Sequence, residues 1–331
     1  MTLNALSRRD LLAATAGGLT LPAAWTSAWA QPGFPSRPLT WVVPYPTGGF
    51  GDSMSRLLTQ KLGERLKQTV IVENRPGGAA QIAANAVKLQ PADGHTLLYG
   101  DIGPFAMYPS LYAKLSFEPL KDFVPLTRLF KSPTLLVVPA SSPLRSFADL
   151  QRAAAREPGL QYGSYGIGSQ PHVWCEMLRL RGGLRIGHVP YQGAGPALQD
   201  LIGGRLDFMV DVIASSLPLV RDGKLRALAL IGAERRSPAL PEVPTMTELG
   251  LPALDIPGWN GVVVRAGTPP AAVEALHVAT VAALQSPEVL QRYTALGLEP
   301  APLSPAAFGD FIRSETQRWG AAIREAGVKV E

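Results

Sequence analysis

The sequence predicts an α/β protein in two lobes, each a mostly parallel sheet flanked by helices. Three observations lead there. Apolar strand-like runs alternate with helix-period stripes through most of the chain, the alternation restarts at "PTLLVVPASS", and three strand ends run into a Gly-rich bend that opens a helix. With 331 residues, 46% hydrophobic and 17% charged, the chain is long enough for more than one core.

Taken in order, "LTWVVPY" reads as a buried strand, and Met54, Leu57, Leu58, Leu62 and Leu66 fall on one stripe of the helix that follows. "TVIVENRPGG" is strand then turn, "AQIAANAVKLQ" helix and "HTLLYGD" strand. After the restart, "FADLQRAAAREPG", "HVWCEMLRLRGG" and "GPALQDLIGGR" are helices, set among the strands "LQYGSYG", "IGHVPYQG", "LDFMVDV" and "LRALALIG". Two helices close the chain, with Thr268 before Pro269 and Ser304 before Pro305 as N-cap and first-turn proline.

The first thirty residues have a different character. Arg8 and Arg9, an apolar stretch broken by Gly17, Gly18 and Pro22, and the small-x-small site Ala28-Trp29-Ala30 predict a secretory signal of twin-arginine type, cleaved after Ala30. The stretch is too short and interrupted for a membrane anchor, and no cysteine stands at the cleavage site to carry a lipid. Without Arg8, Arg9 and Asp10 the formal charge of +5 becomes +4, spread along the chain with no basic run, which argues against nucleic acid as a partner. Cys175 is the only cysteine, so it has no disulfide partner and no CxxC mate, and it reads as a small buried apolar residue.

The recurring bends carry the functional signal. "VVPYPTGGFGDSMSRLL", "YGSYGIGSQPHVWCEML" and "VPYQGAGPALQDLI" each pass from a strand through glycines into a helix. The first amides of a helix have no internal acceptor and the helix dipole adds positive potential, so an anion suits that place. Thr47, Ser164 and Ser169 add hydroxyl donors. A P-loop would need Gly-Lys, whereas Phe50 follows Gly48 and Gly49; "GGFGD" lacks the third glycine of a dinucleotide fingerprint, and Gly163, Gly166 and Gly168 have the wrong spacing for one. Ser164 is not in a GxSxG elbow, and His95, His172, His188 and His277 make no HExxH pattern. Donors without a nucleophile paired to its base point to binding without chemistry: no catalytic residue, no metal and no cofactor. The alternative from another class is a secreted serine hydrolase using Ser164 or Ser169.

"VVPYPTGGFGDSMSRLL", "VIVENRPGG", "PADGHTLLYG", "KDFVPLTRL", "GHVPYQGAGPALQDLIGGRLD", "GKLRALAL", "SPALPEVPTMTELG" and "GTPPAAVEAL" together resemble, in order, the signatures of the Bug-type receptors, the periplasmic substrate-binding proteins of tripartite tricarboxylate transporters. The resemblance implies a type II periplasmic binding protein fold, with residues 31–131 and 253–331 in lobe 1 and 132–252 in lobe 2. It implies a soluble monomeric receptor in the periplasm that closes on a small carboxylate and delivers it to membrane permease subunits; a receptor signalling to a sensor kinase is the alternative within binding proteins.

The implied site lies between two bends. Thr47, Gly48, Gly49 and Phe50 present donors from lobe 1, and Ser164, Gly166, Gly168, Ser169 and Gln170 from lobe 2, where His172 follows. Asp52 is expected to cap its helix in preference to touching the ligand. Asp211, at a strand end, is expected to reach the cleft mouth and to select among ligands. Tyr191 and His188 follow the family pattern, and Gln192 stands where the family commonly carries a basic residue. Asn74 and Arg75 read as a rigid turn that braces neighbouring loops, and Trp41 and Trp259 as core or cleft wall.

Overall fold

The computed structural model describes residues 33–330; the expected leader lies outside them. The strands are β1 (Leu39–Val43), β2 (Val70–Asn74), β3 (Thr96–Asp101), β4 (Phe123–Ser132), β5 (Thr134–Pro139), β6 (Leu160–Ser164), β7 (Ile186–Pro190), β8 (Phe208–Val212), β9 (Leu225–Ile231), β10 (Gly258–Arg265) and β11 (Glu299–Pro300). The helices are α1 (Phe50–Leu66), α2 (Gln81–Lys88), α3 (Tyr108–Leu111), α4 (Pro119–Asp122), α5 (Phe147–Ala154), α6 (Gln170–Gly182), α7 (Ala194–Ile202), α8 (Ile213–Arg221), α9 (Pro270–Leu284), α10 (Pro287–Ala295) and α11 (Pro305–Ala326).

Two sheets form, one in the order β11-β4-β10-β3-β1-β2 and one in the order β7-β6-β8-β5-β9. Both are mixed. In the first, β1 pairs in parallel with β2 and β3, while β10 runs antiparallel to β3 and β4. In the second, β6 pairs in parallel with β7 and β8, while β5 runs antiparallel to β8 and β9. The expected parallel character therefore belongs to the βαβ portion of each sheet, and one inserted strand opposes it. The sheets share a plan: a first strand between its second and third, then the inserted strand, then a fourth. Only Pro133 separates β4 in one sheet from β5, the inserted strand of the other.

Apolar burial explains the elements that the residue pattern anticipated. Leu39, Trp41 and Val43 alternate on one face of β1, and Met54, Leu58 and Leu62 form the buried stripe of α1 against them. Trp41 and Trp259 belong to the core, at 0% and 1% exposure, and Cys175 is buried and free. Asn74 bridges loops, its Nδ2 donating to the Tyr45 carbonyl at 3.0 Å while its Oδ1 accepts from Arg56; Arg75 pairs with Glu73. The closing segment holds three helices, since Ser286-Pro287 opens α10 directly after α9. Ser304 caps α11 through Ala307 N, as expected. Thr268 does not cap α9: its hydroxyl donates to Arg265 O, and Pro269 takes the cap position because a second proline, Pro270, is the first helical residue. Among the described residues no helix is long and apolar enough to cross a membrane, and no group of His, Cys, Asp and Glu is arranged to hold a metal ion.

Candidate functional site

Strands β1 and β6 hold the same place in their sheets, and each ends in one of the bends singled out above. The two bends are built alike, residue for residue. In the first, Gly48 has φ of +79°, Gly49 is the extended N-cap of α1, and Asp52 is the third helical residue. In the second, Gly168 has φ of +78°, Ser169 is the extended N-cap of α6, and His172 is the third helical residue. Gly49 N donates to Pro46 O at 3.2 Å, and Ser169 N to Gly166 O at 3.2 Å. The third helical side chain then reaches back: Asp52 Oδ2 accepts from Gly48 N at 2.8 Å, and His172 Nδ1 from Gly168 N at 3.0 Å. Glycine is needed at both turning points because an L side chain is strained at that φ.

This construction changes which amides are free. The N–H groups of Gly48, Gly49, Gly168 and Ser169 are bonded within the bends, and Gly166 N donates to Ser164 Oγ at 3.1 Å. The glycines shape the turn instead of presenting donors. Among the described residues, the donors of the two bends left without an acceptor are Thr47 and Ile167 at the bend tips and, in the first helical turns, Phe50, Gly51 and Asp52 in α1 and Gln170 and His172 in α6, Pro171 having no N–H. Thr47 lies exposed at the tip of the first bend, and Gln170 is half-buried. The two helix starts differ in charge. Burial opposes ionisation of Asp52, but hydrogen bonds from Arg56 and Gly48 outweigh it and hold the carboxyl below its ordinary pKa, with Arg56 Nη2 at 2.9 Å from Oδ1. Burial lowers the pKa of His172, so that the corresponding group in α6 is neutral at pH 7. Asp52 thus closes its helix start by back-bonding from the third position.

A tyrosine precedes each bend, and each donates to an aspartate at the end of the third strand of its sheet. Tyr45 donates to Asp101 Oδ2 and Tyr165 to Asp211 Oδ1. Asp211 is 0% exposed, with Ser216 on its other oxygen, so the expected reach to the cleft mouth is not met; α8 begins two residues later and brings Ser216 over it. Asp101 is half-buried, and Gly103 N donates to its Oδ1 at 2.9 Å. Burial raises both carboxyls to about 6, against the pull of these hydrogen bonds. Tyr45 and Asp101 escaped the sequence reading, although a signal was there: "YPTGGFGD" and "YGIGSQPH" share Tyr-x-x-Gly-x-x-x before Asp or His.

Behind the second bend stands a stack of rings. His188 lies 3.9 Å from His172 and 5.0 Å from Tyr162, centroid to centroid, and its Nε2 is 2.6 Å from Ser164 Oγ. A serine and a histidine are therefore paired, which their spacing in sequence did not reveal. Ser164 is 0% exposed and its hydroxyl also bonds Gly166 O. Burial and the neighbouring His172 depress His188 to about 4. Tyr191 is half-buried, and its hydroxyl donates to Asp200 at 2.8 Å.

Comparison with known proteins adds to this geometry. The family model for the tripartite tricarboxylate transporter family receptor, TctC, matches residues 54–328. Protein BugT of Bordetella pertussis is 36% identical over 300 residues, covering 90% of this chain and 92% of that protein. Among solved structures, R. palustris Rpa4515 with adipate superposes with a TM-score of 0.82 at 34% identity, covering 89% of this chain and 99% of that one. MatC of Rhodopseudomonas palustris with bound malate gives 0.77 at 33% identity, covering 88% and 100%.

Proposed function

The chain belongs to the tripartite tricarboxylate transporter receptor family, and from that premise we propose that it is a periplasmic solute receptor, not an enzyme, which holds a small organic carboxylate between its two bends for uptake by membrane permease subunits. In this reading residues 31–131 and 253–331 form one lobe and 132–252 the other, and the mature protein works as a monomer. The observation that carries the reading is the matched pair of helix starts: the same hydrogen-bonded bend ends an equivalent strand in each sheet and leaves first-turn amides of α1 and α6 without internal acceptors. A carboxylate placed there would complete those amides and lie at two positive dipole ends, each equivalent to about half an elementary charge. Thr47, Phe50 and Gln170 would line the anion, with Ser164, Ser169, Gly48, Gly49, Gly166, Gly168 and Asp52 fixing the shape of the bends. His172, Tyr191 and Asp211 would support them from behind.

No arginine is required as a clamp. Arg56 is paired with Asp52 and Arg75 with Glu73. The hydrolase reading finds little support in the Ser164–His188 pair, because the hydroxyl is buried and a histidine held near 4 is a weak base at pH 7.

The test is a thermal-shift screen of di-, tri- and monocarboxylates and amino acids with the purified mature protein, run beside a serine-directed acylating probe. A saturable rise in Tm with an acid that is recovered intact supports the receptor. Covalent labelling of Ser164 or Ser169 would replace it by the hydrolase.

A further inference from the structure

The two tyrosine–aspartate pairs occupy matching places but are not equally open. Resting on the receptor reading above, we propose that Asp101 is the specificity-determining residue of this site, accepting a hydrogen bond from a hydroxyl or ammonium substituent of the bound acid, so that hydroxy- and amino-carboxylates are preferred to plain acids of the same skeleton.

The position follows from the fold. Asp101 ends β3, the strand beside β1, so it stands next to the first bend. Tyr45, which donates to it, lays its ring against the first turn of α1: a Cβ on Gly51 would stand 3.1 Å from Tyr45 Cδ2. On the other side, a Cβ on Gly103 would stand 3.2 Å from Asp101 Oδ1 and 3.1 Å from the Tyr108 hydroxyl. One turn further, Leu111 reaches the second bend, 3.3 Å from where a Cβ on Gly168 would be. Asp101 therefore stands beside the first bend, and the segment that follows it reaches the second.

Its chemistry suits a donor. Each carboxylate oxygen already accepts one hydrogen bond, from Tyr45 and from Gly103, and each keeps a lone pair for a second. The arginines nearest the first bend are committed to other acids, and Asp101 enters no ion pair among the described residues. A plain carboxylate bound beside it meets only like charge. A substituent that donates turns the same group into a partner, and the loss of a charged hydrogen bond from a closed site is felt about tenfold or more. Asp211 is closed to this role by Tyr165 and Ser216.

The experiment is calorimetric titration of the wild-type protein and Asp101→Asn with matched acids: succinate and malate, glutarate and glutamate, phenylacetate and mandelate. Wild type is expected to bind the substituted member of at least one pair about tenfold or more tighter. Asp101→Asn should reduce that preference to about threefold or less, mainly by weakening the substituted acid and leaving the plain one unchanged or tighter. If acids bind but the preference is absent, or survives the substitution, the inference is overturned while the receptor reading stands. If none of the acids that the thermal screen was run with binds at all, the receptor reading falls and takes the inference with it. Should Asp101→Asn fail to fold by circular dichroism, Tyr45→Phe carries the test: removing the hydroxyl that anchors the carboxylate should reduce the preference severalfold, and an unaltered preference overturns the assignment.

Discussion

Replacing Asp211 by Asn is expected to change how stability depends on pH. The carboxyl is 0% exposed and burial raises it to about 6, against an ordinary value of 3.8. A raised pKa means that the folded protein holds this proton more tightly than the unfolded chain does. The stability so contributed is complete below about 3.8 and is lost as pH rises through about 6. The difference of about two units corresponds to about 3 kcal/mol, of which about 2 kcal/mol disappears between pH 4.5 and pH 7. Asn cannot titrate, so the variant lacks this slope, whereas every other group titrates in both proteins and cancels in the comparison. Urea unfolding of the ligand-free proteins at the two pH values, followed by circular dichroism and with m-values checked for constancy, measures the difference. The stability of wild type relative to Asp211→Asn should fall by about 2 kcal/mol from pH 4.5 to 7. A pH-independent difference would mean that the carboxylate is solvated like a free one. That result would return Asp211 to the cleft and undo the contrast with Asp101.

Two further outcomes follow from the bends. His172→Asp keeps an acceptor for Gly168 N but adds charge at the start of α6; a like charge about 5 Å from the ligand at an effective dielectric of about 20 costs about 3 kcal/mol before screening by salt, so the Kd for the best carboxylate should rise tenfold or more, and an unmoved Kd would place the anion elsewhere. Gly168→Val and Gly48→Val meet nearly the same φ, +78° and +79°, but only at Gly168 does a Cβ run into a neighbour, Val330 Cγ2 at 2.7 Å. Urea midpoints should therefore show Gly168→Val to be worse by about 1–3 kcal/mol, and equal losses would mean that Val330 gives way freely.

Much of the α/β plan was legible because apolar periodicity reports one-sided burial directly. Trp41 and Leu58 are buried for the reasons that make their segments look like strand and helix. Other features depend on partners distant in the chain. The antiparallel insertion of β10 between β3 and β4 sets Asn260 opposite Asp101, more than 150 residues earlier, and local pattern holds no trace of it. The ring stack of Tyr162, His172 and His188 exists only once β6, β7 and α6 have packed. The bend glycines hold no free N–H for a different reason. A glycine at a helix start is a good place to find a free N–H, but whether it stays free depends on the rotamer of a side chain four residues on. Asp52 and His172 both turn back and occupy it. The Thr-Pro and Ser-Pro signatures show the same limit: one extra proline moved the start of α9 and left Thr268 outside it.

The likeness of the two bends makes the difference in charge at their third helical position informative. If both helix starts carried an ionised acid at the third position, each would offset its own dipole and the cleft would hold little positive potential. If both carried a neutral histidine, a dicarboxylate could enter either way round with equal ease. Here the α1 start is offset by Asp52, itself partly offset by Arg56, while α6 starts on a neutral His172. The unopposed dipole of α6 is the better end for a carboxylate, and the half-buried Asp101 lies on the opposite side, next to the α1 start. On the receptor reading proposed above, charge would give the site a direction that its backbone symmetry does not: the acid group towards the second bend, any donating substituent towards the first.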